Sequence, residues 1–120
     1  MEFDYRYTRH QRPLDRSAAI RRLYRMFQDS EERVGQALDQ FVGLRDELAR
    51  VSPHPPDPDA GEPHWKNDYL PALDAIALYG LLARNNPRTY LEIGSGNSTR
   101  FAARAIADDG LRTRIVSIDP

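Results

Sequence analysis

The chain has no cysteine among its 120 residues. That excludes disulfide frameworks, zinc–thiolate sites, iron–sulfur clusters and thiol nucleophiles. It also lacks any apolar run near the ~20 residues that a membrane helix needs. The first residues, MEFDYRYTRHQRPLDR, hold no apolar segment of the secretory kind, so a cytoplasmic protein with no membrane partner is the default expectation. No excess of one charge sign is present, since 17 Lys and Arg stand against 18 Asp and Glu. That balance argues against a polyanion binder. Lysine itself is scarce, with Lys66 alone among the cationic residues, which reads as coding bias. His54 and His64 are too isolated to suggest a metal pair, and no metal site is expected.

What the chain does have is three differently written stretches. Residues 1–14 are aromatic and basic, with Phe3, Tyr5 and Tyr7 alternating as in a short strand or a terminal arm. Asp15 or Ser17 can N-cap the helix that follows. From there apolar side chains recur at Ile20, Leu23, Phe27, Val34, Ala37, Phe41, Leu44, Leu48 and Val51, with Ser30 interrupting the series. Steps of three and four make one stripe on a helix and fit a seven-residue repeat. Arg16, Arg21, Arg22 and Arg25 make its first half basic, while Asp29, Glu31, Glu32, Asp39, Asp46 and Glu47 make the second half acidic. The stripe over 15–51 either docks on the rest of the protein or pairs with a second copy as a homodimer. A basic-to-acidic gradient suits an antiparallel pair. Asp29 with Glu32 also offers a capping arrangement that would start a second helix.

Residues 52–63, SPHPPDPDAGEP, carry five of the nine prolines and read as an extended, semi-rigid linker. Asp68 can cap a helix over about 69–84, with Pro71 tolerated in its first turn. Asn85-Asn86-Pro87 ends it. Thr89–Ile93 is a strand by its β-branched and aromatic content, Ser98–Ala107 a helix, and Arg114–Ile118 a second strand. The order implies two parallel neighbours joined by a helical crossover. Residues 1–51 thus form an arm and helical extension, 52–63 a linker, and 64–120 the start of an α/β domain.

The chemistry concentrates in Leu91-Glu92-Ile93-Gly94-Ser95-Gly96-Asn97-Ser98-Thr99 and in Asp119, 27 positions after Glu92. A strand delivers the chain to the carboxyl edge of a parallel sheet, where it must reverse into a helix. Gly94 permits a backbone angle closed to other residues. Gly96 lets a ligand touch the main chain, and Asn97 or Ser98 can cap the helix, whose free amides face the bound molecule. Ser95 lies between the two glycines. Asp119, at the end of the next strand, can take both hydroxyls of a ribose. The dinucleotide fingerprint wants a third glycine where Thr99 stands. Glu92 is awkward beside a pyrophosphate and suits a ligand that carries an ammonium group, such as S-adenosylmethionine.

LEIGSGNST followed by VSIDP resembles motif I and the second-strand acidic motif of the class I S-adenosylmethionine-dependent methyltransferases. Glu92, Gly94 and Gly96 match the first motif, and Ser98 stands in the place of its last glycine. The stretch YLPALDAIALYGLLARNNPRTYLEIGSGNSTRFAARAI is similar to the subgroup in which a helix leads directly into motif I. The resemblance covers about residues 64–120. It implies that Glu92, Gly94, Ser95 and Gly96 line the methionine and ribose part, and that Asp119 holds the ribose hydroxyls. Trp65, Asn67 and Tyr69, before the leading helix, either close over the cofactor and face the acceptor or serve as packing anchors. Tyr79 is expected in the core. The fold implied is the first βαβ unit of a Rossmann-like, doubly wound parallel sheet, preceded by a long helix or helix pair. Such a fold needs about seven strands where two are present. The 120 residues are therefore expected to be the N-terminal part of a longer protein, without methyl transfer as this chain alone, and with the acceptor and catalytic residues unknown. Two other readings stand beside it. One is a helical self-association or partner-binding module carrying a vestigial Rossmann-like piece. The other is a fragment of a nicotinamide or flavin dinucleotide enzyme.

Overall fold

The computed structural model describes residues 18–54, 57 and 61–119. The aromatic arm and the capping residues Asp15 and Ser17 lie outside the described residues. Helix α1 runs over Ala18–Val42, and the short α2 over Arg45–Leu48. Then come α3 (Ala72–Asn85), β1 (Thr89–Ile93), α4 (Asn97–Asp108) and β2 (Arg114–Ile118). The chain is thus a mixed helix-and-strand protein with a two-strand parallel sheet and a long N-terminal helix. Among the described residues no helix is long and apolar enough to cross a membrane. The chain divides into two compact units, residues 1–35 and 36–120.

In the first unit the described residues are helical throughout. Ser30 does not break α1. Its hydroxyl donates to the carbonyls of Met26 and Phe27 (both 2.9 Å), which satisfies the group inside the helix. Asp29 and Glu32 accordingly start no second helix. The break falls later, at Gly43-Leu44, where Gly43 N–H and Leu44 N–H turn back to the carbonyls of Gln40 and Phe41. The apolar stripe of this unit is exposed at Leu23, Phe27 and Val34.

The second unit holds a core drawn from every element in it. Leu48, Tyr79, Leu82, Ala102 and Ala105 form one buried cluster, with Tyr90 and Ile115 of the sheet packed against it. Val51, Ala75 and Phe101 form another. The docking half of the stripe, Phe41, Leu44, Leu48 and Val51, therefore belongs to this core. Gly80 of α3 is the point of closest approach, because a methyl group built on it would overlap the Phe41 ring. Tyr79 is fully buried, as expected, and its hydroxyl donates to Asp108 Oδ2 (2.9 Å). Burial first, and then the Asp108 carboxylate, push the Tyr79 phenol well above its ordinary range. Asp108 is in turn held by Arg104 Nε (2.8 Å), one turn earlier.

The ends of the proline-rich segment do not spread apart as a spacer would. Trp65 N–H donates to Ser52 C=O (3.0 Å) and Lys66 N–H to Pro53 C=O (2.9 Å), around a parallel bridge of Ser52 with His64. Residues 52–53 and 64–66 are thus bonded to each other, and His64 is half-buried. Helix α3 begins at Ala72 and not at about residue 69, and no side chain caps it. Asn67 explains the delay: its Oδ1 accepts from the amides of Tyr69 (3.3 Å) and Leu70 (2.7 Å), which winds 67–70 into a turn of its own. Asp68 therefore does not serve as the cap.

Both strands fall where the residue types place them, and Glu92 pairs in register with Ser117. Side chains alternate across the sheet. Tyr90 and Ile115 face the helices, while Leu91, Ile93 and Ile118 on the opposite face are exposed.

The Phe41–Gly80 contact gives a direct test. Overpacking a filled site costs about 1–3 kcal/mol, against about 1 kcal/mol of helix propensity gained on replacing glycine by alanine. Gly80→Ala should lower the urea midpoint, and Phe41→Leu introduced with it should recover part of the loss. Additive effects of the two changes would show that the ring and the glycine do not meet.

Candidate functional site

The loop between β1 and α4 is built from a buried carboxylate outward. Glu92 is 9% exposed, the one buried residue of β1. A carboxylate in such a place must replace its water with donors, and four hydroxyls do so. Ser117 Oγ (2.6 Å) and Thr99 Oγ1 (2.5 Å) donate to Oε1; Ser98 Oγ (3.0 Å) and Tyr90 OH (3.2 Å) donate to Oε2. Burial pushes the Glu92 carboxyl up, but the hydrogen bonds from Ser117, Thr99, Ser98 and Tyr90 together outweigh it and hold the group below the ordinary glutamate range. Burial, with the neighbouring Glu92 charge, pushes the Tyr90 phenol up.

The donors come from three elements. Tyr90 lies two residues back on the same face of β1. Ser117 is the register partner on β2, and Ser98 and Thr99 open α4. Thr99 gives its proton to Glu92 and accepts the Gly96 N–H (2.9 Å) with the same oxygen. The buried charge therefore reaches the helix start through one hydroxyl.

Above this tie the main chain turns. Gly94 has φ +81, a conformation that side chains disfavour, and its N–H continues the sheet by donating to Ile118 C=O (2.9 Å). Gly96 is the N-cap of α4, and the helix begins at Asn97. Neither Asn97 nor Ser98 is thus the cap. Ser98 instead spends its hydroxyl on Glu92. The first intrahelical bond is Arg100 N–H to Gly96 C=O (3.2 Å). The amides of Asn97, Ser98 and Thr99 precede it and have no partner among the described residues.

Asp119 closes the site from β2. Its Oδ1 accepts the Ser95 N–H (2.7 Å) and its Oδ2 the Ser95 hydroxyl (2.9 Å). The two sequence segments separated by more than twenty residues thus meet at one loop. Each oxygen keeps acceptor capacity, since a carboxylate offers about four such positions.

A cavity of about 450 Å³ opens over this edge. Gly94, Ser95, Gly96, Asn97 and Ser98 form one side, with Ile93, Leu70 and Tyr69 around them. An adjoining hollow of about 330 Å³ shares Tyr69, Gly96 and Asn97, and adds Lys66, Asp68 and Arg100. Glu92 lies beneath the turn, and neither it nor Asp119 lines either cavity. Of the three residues before α3, Trp65 packs on Phe101 (ring centroids 5.2 Å apart), Asn67 shapes the turn, and Tyr69, 89% exposed, stands at the cavity. The contributions of Tyr90, Ser98, Thr99 and Ser117 escape a motif reading. The signal for them is alternation along β1 and registration with β2, which only a paired sheet reveals.

No family model, no curated protein and no solved structure matches the chain.

Glu92→Gln replaces an acceptor by a donor in front of hydroxyls and should cost about 1.5–3 kcal/mol at neutral pH, the range for hydrogen bonds to a charged group. Because the folded carboxyl titrates below its unfolded value, its stabilisation is complete above the unfolded glutamate range and is lost as pH falls through the folded value. Urea unfolding at neutral and strongly acidic pH should show the gap between wild type and variant shrinking in acid. A gap that is constant with pH would contradict the charge-based tie.

Proposed function

We propose that the chain binds S-adenosylmethionine as part of a class I, Rossmann-like methyltransferase, with β1, α4 and β2 as the first βαβ unit of its sheet. The observation that carries this reading is the meeting of three features at the carboxyl ends of two adjacent parallel strands. These are the positive-φ turn at Gly94, the uncapped start of α4, and the Asp119 carboxylate. Ligands of open α/β sheets bind at this edge.

The residues suit such a ligand. Asp119, with one bond from Ser95 on each oxygen, keeps positions for the two ribose hydroxyls. The amides of Asn97, Ser98 and Thr99 suit the ligand's carboxylate. The Gly94–Gly96 main chain leaves room for the methionine portion, and Ile93 and Leu70 offer apolar wall. Glu92 has its four acceptor positions filled by hydroxyls, so its part is to position the turn, with a negative charge beneath it that favours a cationic ligand. When bound, the cofactor supplies a methyl group on a cationic sulfur. The chain's own residues bind and orient it. A dinucleotide fits less well. Thr99 fills the third-glycine place with an oxygen committed to Glu92 and Gly96, and the buried charge opposes a pyrophosphate.

Titration of the ¹⁵N-labelled chain with S-adenosylhomocysteine to millimolar concentration should move the amide signals of residues 94–97 and 119. Asp119→Asn should weaken the binding about tenfold, the loss of roughly one charged hydrogen bond. NAD moving these signals while S-adenosylhomocysteine leaves them unchanged would overturn the reading.

A further inference from the structure

The smaller hollow beside the candidate cofactor cavity, about 330 Å³, holds two cations that the chain leaves unmatched. Lys66, the single lysine of the sequence, and Arg100 both line it. Among the described residues neither has a carboxylate within ion-pair distance, and the Arg100 guanidinium meets no hydrogen-bond acceptor. Arg104, one turn later in α4, shows the contrast: Asp108 holds it at 2.8 Å, and Glu62 lies 3.7 Å away. Arg100 is half-buried, so its donors are partly withdrawn from water with nothing in exchange.

Arg100 also stands at the unfavourable end of its helix. Helix α4 begins at Asn97 and has no acidic residue in its first turn. The positive end of the helix dipole disfavours a cation there and favours an anion. His64 lines the same hollow, and its Nδ1 is buried without a partner among the described residues, a state that buried polar groups rarely keep. The neighbouring carboxylates do not meet this demand. Asp68, the one acidic residue of the lining, is exposed and lies beyond ion-pair distance of both cations. Glu92 is occupied by four hydroxyls and Asp119 by Ser95, and neither lines the hollow.

We propose that this hollow binds one anionic group, a carboxylate or a phosphate, through Lys66 and Arg100. Arg100 supplies a planar fork of donors and Lys66 a point charge, which together suit an oxyanion. The hollow shares Tyr69, Gly96 and Asn97 with the cofactor cavity, whereas Gly94 and Ser95 line that cavity alone. Under the S-adenosylmethionine reading two molecules bring such a group to this edge: the cofactor, by its own carboxylate, and the methyl acceptor. The site stands on the hollow's own residues, and only the source of its anion rests on that reading.

Inorganic phosphate is the probe, titrated into the ¹⁵N-labelled chain with ionic strength held constant by chloride. The amide signals of residues 66, 97 and 100 should move together and saturate in the millimolar range. Arg100→Ala and Lys66→Ala should each weaken this binding about tenfold. Arg88→Ala removes an equally exposed charge just before β1 and should leave it unchanged. A repeat in saturating S-adenosylhomocysteine identifies the source. Loss of the phosphate shifts assigns the hollow to the cofactor's carboxylate, and their persistence assigns it to an anionic methyl acceptor. S-adenosylhomocysteine that leaves residues 94–97 and 119 unmoved would count against the cofactor reading alone. Phosphate shifts that never saturate, that survive Arg100→Ala and Lys66→Ala, or that weaken as much in Arg88→Ala would overturn the proposal.

Discussion

One buried charge organises the candidate site. Taking a carboxylate out of water costs several kcal/mol unless donors replace the lost hydration, and Glu92 recruits four hydroxyls to do so. The donors are distributed over β1, β2 and the first turn of α4, so the demand of one group for partners aligns three elements. Thr99 extends the effect. Its single oxygen serves Glu92 as donor and Gly96 as acceptor, which sets the residue from which α4 starts. The Gly94 turn, the free amides behind it and the hold of Asp119 on Ser95 are all placed relative to that tie. An acidic residue two before a glycine is therefore a structural requirement of this loop.

The long helix answers to two different surroundings along its length. Around Phe41 the stripe meets the bare backbone of Gly80, and Leu48 and Val51 go on into the core shared with α3 and α4. Around Phe27 the same heptad spacing meets no packing partner among the described residues. The spacing is identical in both places. What differs is the presence of a glycine-faced helix to receive the part around Phe41.

Much was legible in the residue order. β1 and β2 follow from their β-branched runs and lie where those runs lie, the crossover helix follows from Phe101, Ala102 and Ala105, and the parallel pairing follows from the element order. The site's main-chain features were legible too, because glycine spacing in a strand–turn–helix has few conformational solutions. Less visible was anything that depends on register or on a local competitor. Ser117 becomes a Glu92 partner only once β2 is paired in one register. The start of α3 was misplaced because Asn67 captures two amides before Ala72 and outcompetes Asp68. Composition marks the proline-rich stretch as stiff, and does not report that the residues flanking it bond to each other.

The sequence by itself determined the local alphabet of this protein: where a strand must turn, where a helix can run, and which face of each is apolar. Those properties live within a few residues, and backbone sterics and side-chain period decide them. Tertiary structure decided what each face meets. It gave Glu92 four hydroxyl partners beneath the turn, and brought Asp119 onto Ser95. It also seated Phe41 on Gly80 while leaving Phe27 bare. These outcomes depend on packing and desolvation between segments far apart in the chain, which no local pattern encodes.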